Sequence, residues 1–115
     1  MVINTMETKQ KAVRIYLSKE VIRAIRKHLT LKAFVTLALI HNTSEVTLLA
    51  FNKYTEFKAT DNTFKVVRVS ITGRTSFLSV GGKPINSLNI TDYVNLCVYS
   101  ALHNPLVIAQ FGKLI

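Results

Sequence analysis

Leu31-Lys32-Ala33-Phe34-Val35-Thr36-Leu37-Ala38-Leu39-Ile40 is the stretch on which the architecture turns. Val35, Leu37 and Leu39 alternate with Phe34, Thr36 and Ala38, and the β-branched content predicts a strand buried on both faces or nearly so. His41-Asn42-Thr43-Ser44 carries turn chemistry and Glu45 to Phe51 resumes as a returning strand, so this part of the chain reads as a hairpin. Before it, Lys11 to Leu17 reads as a strand, with Val13, Ile15 and Leu17 on one face and Arg14 and Tyr16 on the other. Ser18 is a favoured N-cap. It opens an amphipathic helix that places Val21, Ile22, Ile25 and Leu29 on one stripe and turns Lys19, Glu20, Arg23, Arg26 and Lys27 elsewhere.

Downstream, the polar stretch Asn52 to Thr63 reads as a connection pinned by Tyr54 and Phe57. Phe64 to Ile71 alternates, Thr72-Gly73-Arg74 turns, and Thr75 to Val80 is a further strand closing at Gly81-Gly82. Pro84 to Leu88 holds at most a turn or two of helix. Asp92 to Ala101 again alternates, His103-Asn104-Pro105 turns the chain, and Leu106 to Phe111 runs back.

The two halves share a pattern. Leu29, Leu31, Phe34, Val35, Leu37 and Leu39 correspond at one constant offset to Leu88, Ile90, Tyr93, Val94, Leu96 and Val98, apolar for apolar. His41-Asn42 corresponds to His103-Asn104 after a short shift, and the strand at Val13 to Leu17 has a counterpart at Thr75 to Val80. A single domain over residues 1–115 follows, with repeat one at about 11–51, a connection at 52–63 and repeat two at about 64–111.

Val13-Arg14-Ile15-Tyr16-Leu17-Ser18-Lys19-Glu20-Val21-Ile22, followed by Leu31-Lys32, resembles the AbrB/SpoVT-type swapped-hairpin DNA-binding family. The chain keeps that family's Lys-Glu-Val start and its Leu-Lys step. It departs in Ser18, where the family usually has Pro, and in Ala33-Phe34, where the family has Gly-Asp. The resemblance covers about Lys11 to Phe51 and extends weakly over Thr75 to Phe111, a tandem, MraZ-like arrangement. It implies a mainly β (α+β) fold in which two βαββ-like swapped-hairpin repeats form one pseudo-two-fold barrel. It also implies DNA binding through basic residues on the first strand and the hairpin loops, as a transcriptional regulator.

Charge points the same way without the resemblance. Lys and Arg number 15 against 6 Asp and Glu, a formal +9, and such a surface attracts polyanions. Lys9, Lys11, Arg14, Lys19, Arg23, Arg26, Lys27 and Lys32, opposed by Glu7 and Glu20, put +6 of the +9 into the first 32 residues. These cations would neutralise phosphates, and Arg14 would reach base edges if its strand faces a groove. Arg68, Arg74 and Lys83 are the second half's candidates. Double-stranded DNA is the expected partner. A homodimer is compatible with that reading, and the alternatives are an acidic protein docked on the same basic face or RNA held by a small barrel.

No catalytic constellation is visible, and a non-enzymatic protein is expected. Glu7, Glu20, Glu45, Glu56, Asp61 and Asp92 are scattered, and His28, His41 and His103 lack metal-site spacing. Gly81-Gly82-Lys83 is followed by Pro84 where a phosphate-binding loop needs Ser or Thr, so neither cofactor nor metal is expected. The lone Cys97 excludes an internal disulfide and sits in an apolar run. With no signal peptide or membrane-spanning stretch, a cytoplasmic location off the membrane is expected.

Overall fold

The Leu31–Ile40 run is a helix, not a strand. The computed structural model describes residues 9–41, 45–60, 63–71, 78–85 and 89–114, for residues 9 and 71 the backbone alone. Along it run β1 (Lys9–Ile15), α1 (Lys19–Arg26), α2 (Leu31–Ile40), β2 (Glu45–Val46), α3 (Leu48–Thr60), β3 (Lys65–Ile71), β4 (Leu78–Val80), β5 (Lys83–Ile85), α4 (Ile90–Leu102) and α5 (Pro105–Phe111). The fold is α+β. Its strands form a two-stranded sheet, β1–β3, and a three-stranded sheet, β2–β4–β5, so the expected swapped-hairpin barrel is overturned.

The correction has a local cause. A nearly all-apolar run fits a strand and a buried helix equally well, and its capping residue then decides. Thr30 Oγ1 accepts from the Ala33 N–H at 3.1 Å, and Leu31, Phe34, Val35 and Ala38 go inward at helical spacing. The predicted strand Asp92–Ala101 is likewise the body of α4, where Asn89 Oδ1 accepts from the Asp92 N–H at 2.8 Å. Glu45–Phe51 and the connection 52–63 are mostly α3: Thr47 caps it through the Ala50 N–H, and Ala50 and Tyr54 are buried. Leu106–Phe111 belongs to α5, with Pro105 at its start and Asn104 accepting from the Leu106 N–H.

Elsewhere structure and sequence run closer. Ser18 Oγ accepts from the Val21 N–H at 3.2 Å, and α1 buries Val21, Ile22 and Ile25. The strand expected at Thr75–Val80 is described only from Leu78, as β4, and the Thr72-Gly73-Arg74 turn lies outside the described residues. Gly81 and Gly82, with φ of 59° and 82°, make the two-residue turn from β4 into β5, a conformation that glycine adopts without strain. Lys83–Ile85 is therefore a strand where a helical turn was expected.

The core lies between the β1–β3 ribbon and the helices. Val13 and Ile15 from β1, with Val67 and Val69 from β3, face inward. α4 is buried on most of its surface and packs against α2, α3 and β1, while α2 packs on β3.

Candidate nucleic-acid interface

β1 and β3 pair antiparallel with Val13 opposite Val67, Ala12 opposite Arg68, Arg14 opposite Val66 and Gln10 opposite Ser70. Since side chains alternate across a strand, burying Val13, Ile15, Val67 and Val69 sends Gln10, Ala12, Arg14, Val66, Arg68 and Ser70 to the other face. All six are exposed. The ribbon thus has a dry inner face and a solvent-facing outer face carrying two arginines and two small polar groups. Gln10 and Ser70 close one end, Nε2 to Oγ at 3.5 Å. Tyr16 and Phe64 close the other, their rings 5.6 Å apart.

Lys11-Ala12-Val13-Arg14-Ile15 matches Lys65-Val66-Val67-Arg68-Val69 residue for residue in character. Val13 pairs with its own counterpart, Val67, the condition for a two-fold axis through that pair. Arg14 and Arg68 are then related by the pseudo-axis. The helices follow: the constant offset noted above relates α2 to α4, two helices and not two hairpins, and each packs on the strand of the other half. The match of these two pentapeptides is the signal that identifies Lys65 and Arg68 as partners of Lys11 and Arg14. Pairing Val13–Leu17 with Thr75–Val80 missed it.

The ribbon's exit is fixed by a buried polar clamp. Asn95 on α4 is fully buried; its Oδ1 accepts from the Tyr16 N–H at 2.9 Å, and its Nδ2 donates to the Arg14 carbonyl at 2.7 Å and the Thr91 carbonyl at 2.8 Å. The Tyr99 hydroxyl donates to the Tyr16 carbonyl, and burial holds that phenol above its ordinary pKa. Arg14 itself lies over the Phe64 ring, 4.9 Å from the centroid, a contact that favours one placement of the guanidinium. Farther from the ribbon, Tyr54 donates to Asp92 at 2.6 Å and Lys58 pairs with the same oxygen at 3.2 Å, tying α3 to α4. Desolvation first, then Asp92, pushes the Tyr54 phenol upward.

Beside the ribbon, Arg26, His28, Lys32, Lys65 and Arg68 line an open groove of about 750 Å³ between the α1–α2 turn and β3. A second groove, about 320 Å³, adds Lys19 and Arg23 to Arg26, Phe64 and Lys65. Among the described residues, no carboxylate lies within ion-pair distance of Arg14, Arg26, Lys32, Lys65 or Arg68. The structure thus gathers Lys19, Arg23, Arg26 and Arg68 from the sequence candidates and places Arg14 on the same ribbon. Lys11 is exposed in β1, and Lys27 is exposed just past α1. Lys83 belongs to the other sheet, Lys9 is described in backbone only, and Arg74 lies outside the described residues. Gln10, Ser70 and Lys65 are exposed on the same surfaces and were not among the sequence candidates.

Other chemistry is sparse. Among the described residues, no group of three or more His, Cys, Asp or Glu is placed to hold a metal. His103 Nδ1 lies 2.8 Å from the Tyr99 carbonyl in its own helix, and His41 is the C-cap of α2. Burial pushes the Cys97 thiol up to about 12, so it stays protonated near neutral pH. Alkylation of the native protein at pH 8 is expected to be slow and to accelerate only as the chain unfolds. A rapid full-extent reaction, followed by mass spectrometry, would show Cys97 to be accessible.

No described helix is long and apolar enough to cross a membrane. Comparison of the chain with family models, with curated proteins and with solved structures finds no match.

Proposed function

We propose that the chain binds double-stranded DNA by laying the outer face of the β1–β3 ribbon in the major groove, as a sequence-preferring transcriptional regulator. The observation behind this reading is a ribbon packed on helices on one side and presenting exposed Arg14, Arg68, Gln10 and Ser70 on the other. Two strands about 4.8 Å apart, with their side chains, suit a groove about 12 Å wide. Arginine pairs with the O6 and N7 edge of guanine, glutamine with the N6 and N7 edge of adenine, and Ala12 and Val66 offer apolar contact to thymine methyls. Arg26, Lys32 and Lys65 then lie beside the groove, where phosphates run.

The same geometry favours DNA over RNA, because the major groove of an A-form duplex is too deep and narrow for side chains to read. Fluorescence anisotropy with a short random-sequence duplex, at low and moderate salt, tests the reading. Wild type is expected to bind in the micromolar range or tighter and to weaken steeply with salt. The Arg26→Ala, Lys32→Ala, Lys65→Ala variant is expected to bind all sequences more weakly, its salt slope shallower by about two to three. No binding at low salt would turn attention to an acidic protein partner, and equal affinity for duplex RNA would remove the groove argument.

A further inference from the structure

Both strands of the ribbon come from one chain, and that has a consequence for the kind of site it fits. A ribbon built from two identical chains presents the same residues twice, so it suits a palindrome. Here the pseudo-axis through Val13 and Val67 relates Arg14 to Arg68 and Ala12 to Val66, but on the ends of the ribbon Gln10 falls on Phe64 and Tyr16 on Ser70, which do not match. One end of the ribbon is polar, Gln10 with Ser70; the other is aromatic, Tyr16 with Phe64. Successive outward-facing pairs are about 6.8 Å apart, close to two base-pair steps. The ribbon therefore offers an adenine-reading group at one end and a closed aromatic wall at the other.

The flanks are unlike in the same sense. The start of α2, on the β3 side, opens onto the groove lined by Arg26, His28, Lys32 and Lys65. The start of α4, on the β1 side, carries Asp92, a carboxylate already engaged by Lys58 and Tyr54. α1 brings exposed Lys19, Arg23 and Arg26, whereas the β4–β5 hairpin, in the corresponding place of the second half, brings Lys83. Apart from exposed Lys11 on β1, the cations placed to meet phosphate are thus concentrated on one side of the ribbon.

We infer that one chain fills one site, and that this site is a directional duplex sequence without dyad symmetry, held by its backbone on the α1–α2 side. The inference rests on the DNA-binding reading and deepens it. The probe is a pool of duplexes with a randomised centre, from which wild type retains a preferred sequence. Native mass spectrometry then gives stoichiometry, and an Ala33→Cys variant carrying a tethered iron chelate reports orientation by strand cleavage. Ala33 is exposed in the first turn of α2 and is not one of the groove cations, so the label leaves both the core and those cations untouched. The expected result is one chain per duplex, a non-palindromic preferred sequence and cleavage on one side only. Two chains on a palindrome, or one chain with cleavage on both sides, would overturn the inference and leave DNA binding standing. Failure to retain any duplex would remove both.

Discussion

Alanine at both Arg14 and Arg68 is expected to erase the preference for a selected duplex over a scrambled one while leaving the protein folded. Each arginine is exposed on the ribbon's outer face, and each bidentate contact to guanine is worth about 1–3 kcal/mol of discrimination. The pair together amounts to about 2–6 kcal/mol, roughly 30-fold or more in the ratio of affinities. Binding to scrambled duplex is expected to persist at reduced strength, because Arg26, Lys32 and Lys65 remain in the groove. Exposed substitutions usually change stability by less than about 0.5 kcal/mol, and losing the contact of Arg14 with Phe64 adds only about 0.5–1 kcal/mol. Competition anisotropy alongside a thermal melt separates the two effects. An unchanged affinity ratio in a well-folded double variant would show that the ribbon does not read sequence.

Asn95→Leu is expected to be the most damaging single change to the fold. Leucine fits the volume but satisfies none of the groups that Asn95 holds, leaving the Tyr16 N–H and the Arg14 carbonyl without that partner in a buried site. Each buried group so stranded costs about 1–3 kcal/mol, and a domain of this size commands only about 5–15 kcal/mol in total. A fall in Tm of more than about 10 °C follows, with ribbon and helices melting together. Asn95→Asp is no rescue: a carboxylate accepts from the Tyr16 N–H but cannot donate to the two carbonyls, and its charge would be buried. A Leu variant that melts within a few degrees of wild type would mean that the ribbon is held by apolar packing alone.

That clamp also shows where the sequence stops being legible. Asn95 sits between Val94 and Leu96 in a run of alternating character, and nothing local distinguishes a buried clamp from an exposed polar residue on a strand. β1 and α1 were readable because their patterns are unambiguous: alternation with charge on one face, then Ser18 followed by an apolar stripe at helical spacing. α2 and α4 were not, because apolar residues dominate both runs and both periods fit. Thr30 and Asn89 were the deciding residues, as caps. In α3 the signal was Ala50, Tyr54 and Phe57 at helical spacing behind Thr47, obscured by the polar residues between them.

The basic cluster was legible as charge but not as a surface. Arg23 and Arg26 stand far from Lys65 and Arg68 in the chain, and the β1–β3 pairing together with the packing of α2 on β3 brings β3 beside the α1–α2 turn. The apolar correspondence between the halves was visible from sequence, while its meaning depended on the helices. Paired hairpins would have made a barrel; one strand and one helix from each half make a ribbon with an exposed outer face.

Dimethyl sulfate protection on the selected duplex is the measurement that bears hardest on this reading, because the reagent marks guanine N7 in the major groove and adenine N3 in the minor groove. Protection of guanine N7 at the bound site, lost in the Arg14→Ala, Arg68→Ala variant while adenine N3 stays reactive throughout, is the outcome expected of a ribbon in the major groove. Binding that leaves guanine N7 fully reactive, or that shields only adenine N3, would mean that the β1–β3 ribbon does not enter the major groove.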